Sequence, residues 1–173
     1  MHQLTISGLC ANVYIKDYLS HHYTDPMKLS TRARYGTRAL LDLALYGGDG
    51  PVLVKDIAHR QQISPMYLVH LLNPLITAGI IRTSRGARGG IRLGRPPAEI
   101  RLSEVIGLLE GSMTSVQCID DPAYCARSDT CVTRELWGEL EKAMNGVLES
   151  RTLQDLVERQ KRKEQPEESM YYI

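Results

Sequence analysis

Between Val54 and Leu93 the apolar period changes character twice, and that order of elements admits few folds. Val54–Arg60 has the spacing of a short helix, and Ile63 then precedes a new start at Ser64-Pro65. A serine oxygen there can accept from free backbone N–H groups, and proline suits a first turn. The helix that follows turns Leu68, Leu71, Leu72, Leu75 and Ile76 to one side and leaves Tyr67, Val69, His70 and Asn73 off that stripe. Pro74 removes one backbone donor and is expected to distort the second half of this helix. After Ala78-Gly79, Ile80–Ser84 alternates toward strand, and Gly90-Ile91-Arg92-Leu93 returns beside it through the tip Arg85-Gly86-Ala87-Arg88-Gly89. Two helices across a tight turn, followed by a basic hairpin, predict a winged helix-turn-helix. In such a module the second helix enters the major groove while the wing reaches backbone or minor groove.

The flanking sequence extends this plan into a mainly α chain with a small β wing. From Ser30 or Thr31 to Tyr46, the residues Tyr35, Ala39, Leu40, Leu43 and Ala44 recur at three and four, with Arg32, Arg34 and Arg38 on other faces. Gly47-Gly48-Asp49-Gly50-Pro51 stops that helix. Pro96-Pro97 marks the exit from the winged module, placed at residues 27–101. Residues 102–131 are expected to hold a linker helix over Glu104–Glu110, capped by Ser103 and ended by Gly111, and then a loop. Residues 132–160 form a helical region in which Val132, Leu136, Leu140, Ala143 and Val147, with Trp137, Met144 and Leu148, make an apolar stripe on an acidic helix. That stripe needs a partner, and a second copy of the chain suits a two-fold DNA site better than burial against its own domain. Thr152-Leu153-Gln154-Asp155 starts one more short helix, and residues 161–173 are expected to be a flexible tail. Residues 1–26 lack a sustained period and precede the strongly patterned Met27-Lys28-Leu29-Ser30. Either Met27 is the true start or the segment is a disordered extension.

Charge supports a polyanion partner. The net charge is only +1, but residues 27–101 hold 12 Lys/Arg against 4 Asp/Glu while residues 102–173 hold 8 against 14. A basic segment of domain size gains affinity for phosphates through counterion release. Aromatic content is 6% with no Phe, which gives no platform for stacking single-stranded bases, so duplex DNA is the expected partner. No apolar run is long enough to span a membrane and no signal-peptide pattern opens the chain, which points to the cytoplasm.

Of four cysteines, Cys118, Cys125 and Cys131 crowd into fourteen residues, with turn formers between them. Thiolates are soft ligands for iron–sulfur clusters and zinc. Structural zinc sites usually pair cysteines two to four residues apart, and no pair here is that close. Three thiolates also leave a four-ligand cluster one ligand short, a vulnerable arrangement suited to sensing. Free thiols in a loop, or disulfide chemistry without metal, are the alternatives.

These residues resemble the Rrf-type winged-helix regulators, a family that includes the iron–sulfur assembly regulator IscR. The resemblance runs from Met27 to about Val157. It is carried by Met27-Lys28-Leu29-Ser30 with Arg34-Tyr35-Gly36, Ile63-Ser64 with Tyr67-Leu68, Ala78-Gly79, Arg85-Gly86 with Gly89-Gly90 and Leu93, Glu104-Val105-Ile106, and the three cysteines followed by Leu136-Trp137. It implies a winged helix-turn-helix, a long helix that swaps across a homodimer, and a cluster loop between them, with DNA binding altered by cluster occupancy. On matching positions it implies that Ser64, Met66, Tyr67 and His70 meet the groove, that Arg85 enters the minor groove, and that Lys28 and Arg32 contact phosphate. Arg88 joins them from its place in the wing tip. Val69 stands where IscR has an acidic residue, so sequence preference is expected to differ from that of IscR.

The resemblance assigns Cys118, Cys125 and Cys131 to a 2Fe-2S or 4Fe-4S cluster, with one departure. Arg134 occupies the place of the histidine that serves IscR as fourth ligand, and Arg34 and Arg38 occupy the places other members use, so none of the three can ligate. Asp120, Asp121, Asp129 and Glu135 are the nearby candidates, with Cys10 a distant one. The expected function is therefore a homodimeric transcription regulator of iron–sulfur biogenesis or a redox or iron response, binding a double-stranded operator under cluster control. A metal-free regulator switched by thiol redox or a protein partner is the alternative. An enzyme or metallochaperone is a more distant one, because the sequence shows no nucleotide loop, no paired catalytic carboxylates and no nucleophile with a base.

Overall fold

The computed structural model describes residues 29–48, 50–86, 89–111 and 116–165. Helix α1 (Thr31–Tyr46) starts where the Ser30 hydroxyl accepts from the backbone N–H groups of Arg32 and Ala33, at 3.1 and 3.2 Å. Helix α2 (Val54–Gln61) ends at Gln62, whose left-handed φ of 54° reverses the chain into Ser64. Helix α3 (Pro65–Thr77) continues through Pro74, and the Ala78 N–H donates to the Pro74 carbonyl at 3.0 Å, so the expected distortion does not break it. Strands β1 (Ile81–Ser84) and β2 (Gly90–Leu93) pair antiparallel, with Ile81 opposite Leu93 and Thr83 opposite Ile91. Val52 joins this wing through two 2.8 Å backbone bonds with Ile91. The result is a mainly helical fold with a small β wing.

Helix α4 (Leu102–Glu110) starts one residue before the expected cap, so Ser103 lies inside its first turn. The reason is tertiary. The segment around Ile100 pairs with the chain around Arg151, the Leu102 N–H donating to the Arg151 carbonyl at 2.9 Å and the Leu153 N–H to the Ile100 carbonyl at 2.8 Å. That pairing sets the chain so that the helix begins ahead of Ser103, and the Val105 N–H, which a cap at Ser103 could have served, goes to the Arg101 carbonyl at 3.3 Å. Within the expected loop the chain forms a helical turn, α5 (Gln117–Asp120), and two 3-10 turns at Pro122–Tyr124 and Ser128–Thr130. Helix α6 (Val132–Glu149) follows, and α7 (Leu153–Glu164) starts at a capping box in which Thr152 and Asp155 exchange bonds. The stretch from Lys161, expected to belong to a tail, is helical to Glu164. Residues 1–28, the wing-tip Ala87 and Arg88, and residues 166–173 lie outside the described residues.

One core unites these elements. Leu40 and Leu43 from α1, Ile57 from α2, Leu68, Leu72 and Leu75 from α3, and Ile80, Ile81 and Ile91 from the wing pack together with Val105 and Leu109 from α4. Leu153 at the start of α7 is fully buried among them, so the last helix belongs to the winged core. Burial of each such side chain contributes about 1.5–3 kcal/mol. Gly36 lets α1 approach α4, since a Cβ there would lie 2.6 Å from a Leu109 methyl. Among the described residues no helix is long and apolar enough to cross a membrane.

A polar clasp locks α1 to α2. Asp42 is 1% exposed, and its carboxylate accepts from Arg60 Nε at 3.0 and 3.1 Å, from Arg60 Nη2 at 2.5 Å, and from Gln61 Nε2 at 2.8 Å. Arg38 in turn donates to the Gln61 side chain and carbonyl, both at 3.1 Å. The hydrogen bonds that Arg60 donates to Asp42 hold its guanidinium above its usual pKa. The two charges are unequally placed, because the Arg60 side chain is 32% exposed and that of Asp42 is not exposed at all. Arg60→Ala is therefore expected to cost about 3–5 kcal/mol by stranding a buried carboxylate. Asp42→Ala is expected to cost clearly less, since Arg60 can turn to water; urea denaturation of both variants measures the order, and equal losses would contradict it.

Candidate nucleic-acid interface and cysteine segment

The outer face of α3 is built by the same period that buries its leucines. Met66, Val69, His70 and Asn73 share that face and are exposed, Met66 by 74% and Val69 by 45%. Tyr67 points elsewhere: it is half-buried at the rim of the core, edge-on to Tyr35 with ring centroids 6.5 Å apart, and so braces α3 against α1. Ser64 is exposed and makes no side-chain cap, which leaves the first N–H groups of α3 able to meet a phosphate oxygen. Arg32 is exposed in the first turn of α1. Arg34 and Arg38 flank the Tyr35 ring at 5.7 and 5.5 Å.

On the wing, Arg85 is exposed beside Gly86, whose φ of 109° makes the turn that a side chain would resist. The hairpin register adds two residues that the sequence pattern missed. Arg82 and Arg92 stand opposite one another and are both exposed. Like charges directly across a ladder repel, and a phosphate between them relieves the cost. Their signal lay in the register, which the hairpin turn sets and a linear count of arginines does not reveal. Lys28 and Arg88 fall outside the described residues.

The cysteine segment leads from α4 to α6. Cys118 lies in α5, Cys125 follows the Pro122–Tyr124 turn, and Cys131 sits at the N-cap position of α6; all three are half-buried free thiols. Arg134 reaches back from the first turn of α6, and its Nε donates to the Cys118 carbonyl at 2.7 Å. The residue in the place of a ligand thus ties α5 to α6. The Cys131 thiol is held below its usual pKa, chiefly by the Thr133 hydroxyl 3.1 Å away and then by the Arg134 backbone N–H. Among the described residues no three His, Cys, Asp or Glu side chains are grouped to hold a metal ion. The donor types suit an iron–sulfur centre, but their placement does not assemble one, and neither Asp120, Asp121, Asp129 nor Glu135 completes such a group.

Helix α6 buries none of its residues fully. Val132, Leu136 and Val147 are 55–75% exposed, and Leu140 and Ala143 lie on the same side at helical spacing. Among the described residues it packs chiefly against α4 and α5.

The family model described as Rrf2, an iron-dependent transcriptional regulator, matches residues 29–159. Protein rrf2 of Nitratidesulfovibrio vulgaris is 45% identical over 131 residues, covering 76% of this chain and 87% of that protein. The HTH-type transcriptional regulator CymR of Bacillus subtilis is 38% identical over 130 residues, 75% of this chain and 89% of that one. The solved structure of T. potens IscR is similar with a TM-score of 0.70 and 36% identity, covering 84% of this chain and 96% of that chain.

Lowered acidity has a chemical consequence at Cys131. Because the thiolate is the reactive form, alkylation of Cys131 by iodoacetamide should reach half its limiting rate at a lower pH than for an unperturbed thiol. Thr133→Val should move that midpoint upward, as the largest stabilising bond is lost; an unmoved profile would contradict the assignment.

Proposed function

The chain belongs to the Rrf2 family of transcriptional regulators, and on that premise we propose a homodimer that binds a double-stranded operator under control of chemistry at Cys118, Cys125 and Cys131. The observation that carries the DNA reading is the exposed outer face of α3 beside a wing that exposes Arg82, Arg85 and Arg92 among its described residues. In this reading Ser64, Met66 and His70 face the groove, Tyr67 positions the helix from behind, and Lys28, Arg32 and Arg88 add phosphate contacts. The apolar side of α6 pairs with its copy in a second chain, which supplies the two-fold symmetry that a near-palindromic operator requires.

For the control element, the donor set and the similarity to IscR support an iron–sulfur cluster on the three thiolates, of two-iron or four-iron type. When bound, such a group supplies a redox-sensitive cross-link between the turns that carry its ligands. The chain's own part is mechanical: Arg134 couples the Cys118 turn to α6, whose N-cap position is Cys131, so a change at either of these cysteines is felt at the root of the helix proposed to pair. A second reading, thiol switching without metal, is favoured by the lowered pKa of Cys131 and by the ungrouped sulfurs.

Two measurements test these parts. DNA affinity should fall linearly in log K against log salt, each phosphate contact contributing a slope of about −0.9, and Arg85→Ala should weaken operator binding clearly. Unchanged affinity at moderate salt would remove Arg85 from the interface. Anaerobic visible absorption with iron and sulfide analysis should show a sulfur-to-iron band that Cys118→Ala abolishes. A wild-type chain that stays colourless after reconstitution would leave the thiol switch.

A further inference from the structure

The sequence of α3, Pro65–Thr77, contains no Lys, Arg, Asp or Glu, although the helix lies within the basic half of the chain. The commonest specific contact in a major groove is Arg or Lys bidentate to guanine, and a carboxylate is the usual acceptor for the cytosine amine. This helix can make neither. What its outer face offers instead is two exposed apolar side chains one turn apart, Met66 and Val69, followed by Asn73 on the same face. Burial of the inward leucines leaves these side chains no apolar neighbour within the core, and both stand in the N-terminal half of the helix, the part that meets base edges in this fold. The major groove has one apolar group that could cover them, the C5-methyl of thymine. The adenine paired with that thymine presents N6 and N7, the pattern a carboxamide such as that of Asn73 recognises.

We infer that Met66 and Val69 are specificity residues that read thymine methyl groups, so that the core of each half-site is T·A rather than G·C. This rests on the operator-binding reading above and names what that surface selects. Guanine, where the operator contains it, is left to the wing and to DNA shape.

The test uses the full-length chain, kept anaerobic and reduced, and duplex DNA selected by it from a random pool. Each thymine of the selected site is then replaced by uracil, which deletes one methyl and alters no hydrogen bond. Replacement at one or two positions in each half-site should weaken binding about fourfold per methyl, the loss expected for one buried carbon. Met66→Ala and Val69→Ala, both at exposed positions where folding is undisturbed, should each bind the thymine site more weakly and erase the thymine-to-uracil difference at one position. Selected sites at which uracil is tolerated everywhere would overturn the inference, as would a penalty that both variants leave intact. Salt-sensitive binding that enriches no sequence also overturns it while leaving the DNA reading in place. Absence of salt-sensitive binding would overturn that reading and this inference together.

Discussion

The pairing of the chain around Ile100 with the chain around Arg151 is the constraint on which the rest depends. Two backbone hydrogen bonds and the burial of Leu153 close the winged core with a helix that arrives after a long detour. Between those anchors α4 stays in the core, while the cysteine turns and the exposed helix α6 form an excursion that leaves it and returns. The excursion is also held at its far end, where Arg101 donates to the Glu149 carbonyl at 2.6 Å. A segment built this way has fixed ends, so a change within it is transmitted to both of them.

Much of the reading head was legible from sequence, because local rules decide it. The start of α1 at Ser30 or Thr31, the restart at Ser64-Pro65, the leucine stripe of α3 and the helix start at Thr152–Asp155 each depend on residues within a few positions of one another. Ser103 shows where such rules fail: a good local cap is overridden when pairing with a distant segment starts the helix one residue earlier. The Asp42 clasp was equally hidden, since an aspartate on an amphipathic helix gives no sign that an arginine and a glutamine from the next helix will surround it. Pro74 was legible as a defect, yet neighbouring packing keeps its helix going.

The functional surfaces divide along the same line. The exposure of Met66, Val69 and His70 follows from the period of α3, whereas the bracing role of Tyr67 depends on Tyr35, far off in sequence. At the cysteine segment, residue types disclosed the chemistry of the donors but not their arrangement. Arg134 was visible as a residue unable to ligate a metal; its bond to the Cys118 carbonyl shows what it does instead.

The late arrival of Leu153 also orders events during synthesis. Domains form as their chain emerges, N-terminal parts first, and contacts distant in sequence form last. Here α3 leaves the ribosome early, but the core it belongs to is closed only after the cysteine turns and α6 have followed it out. A nascent chain thus has its cysteine segment in hand before its winged core is complete, and a product cut short within α6 carries that core with the Leu153 position unfilled.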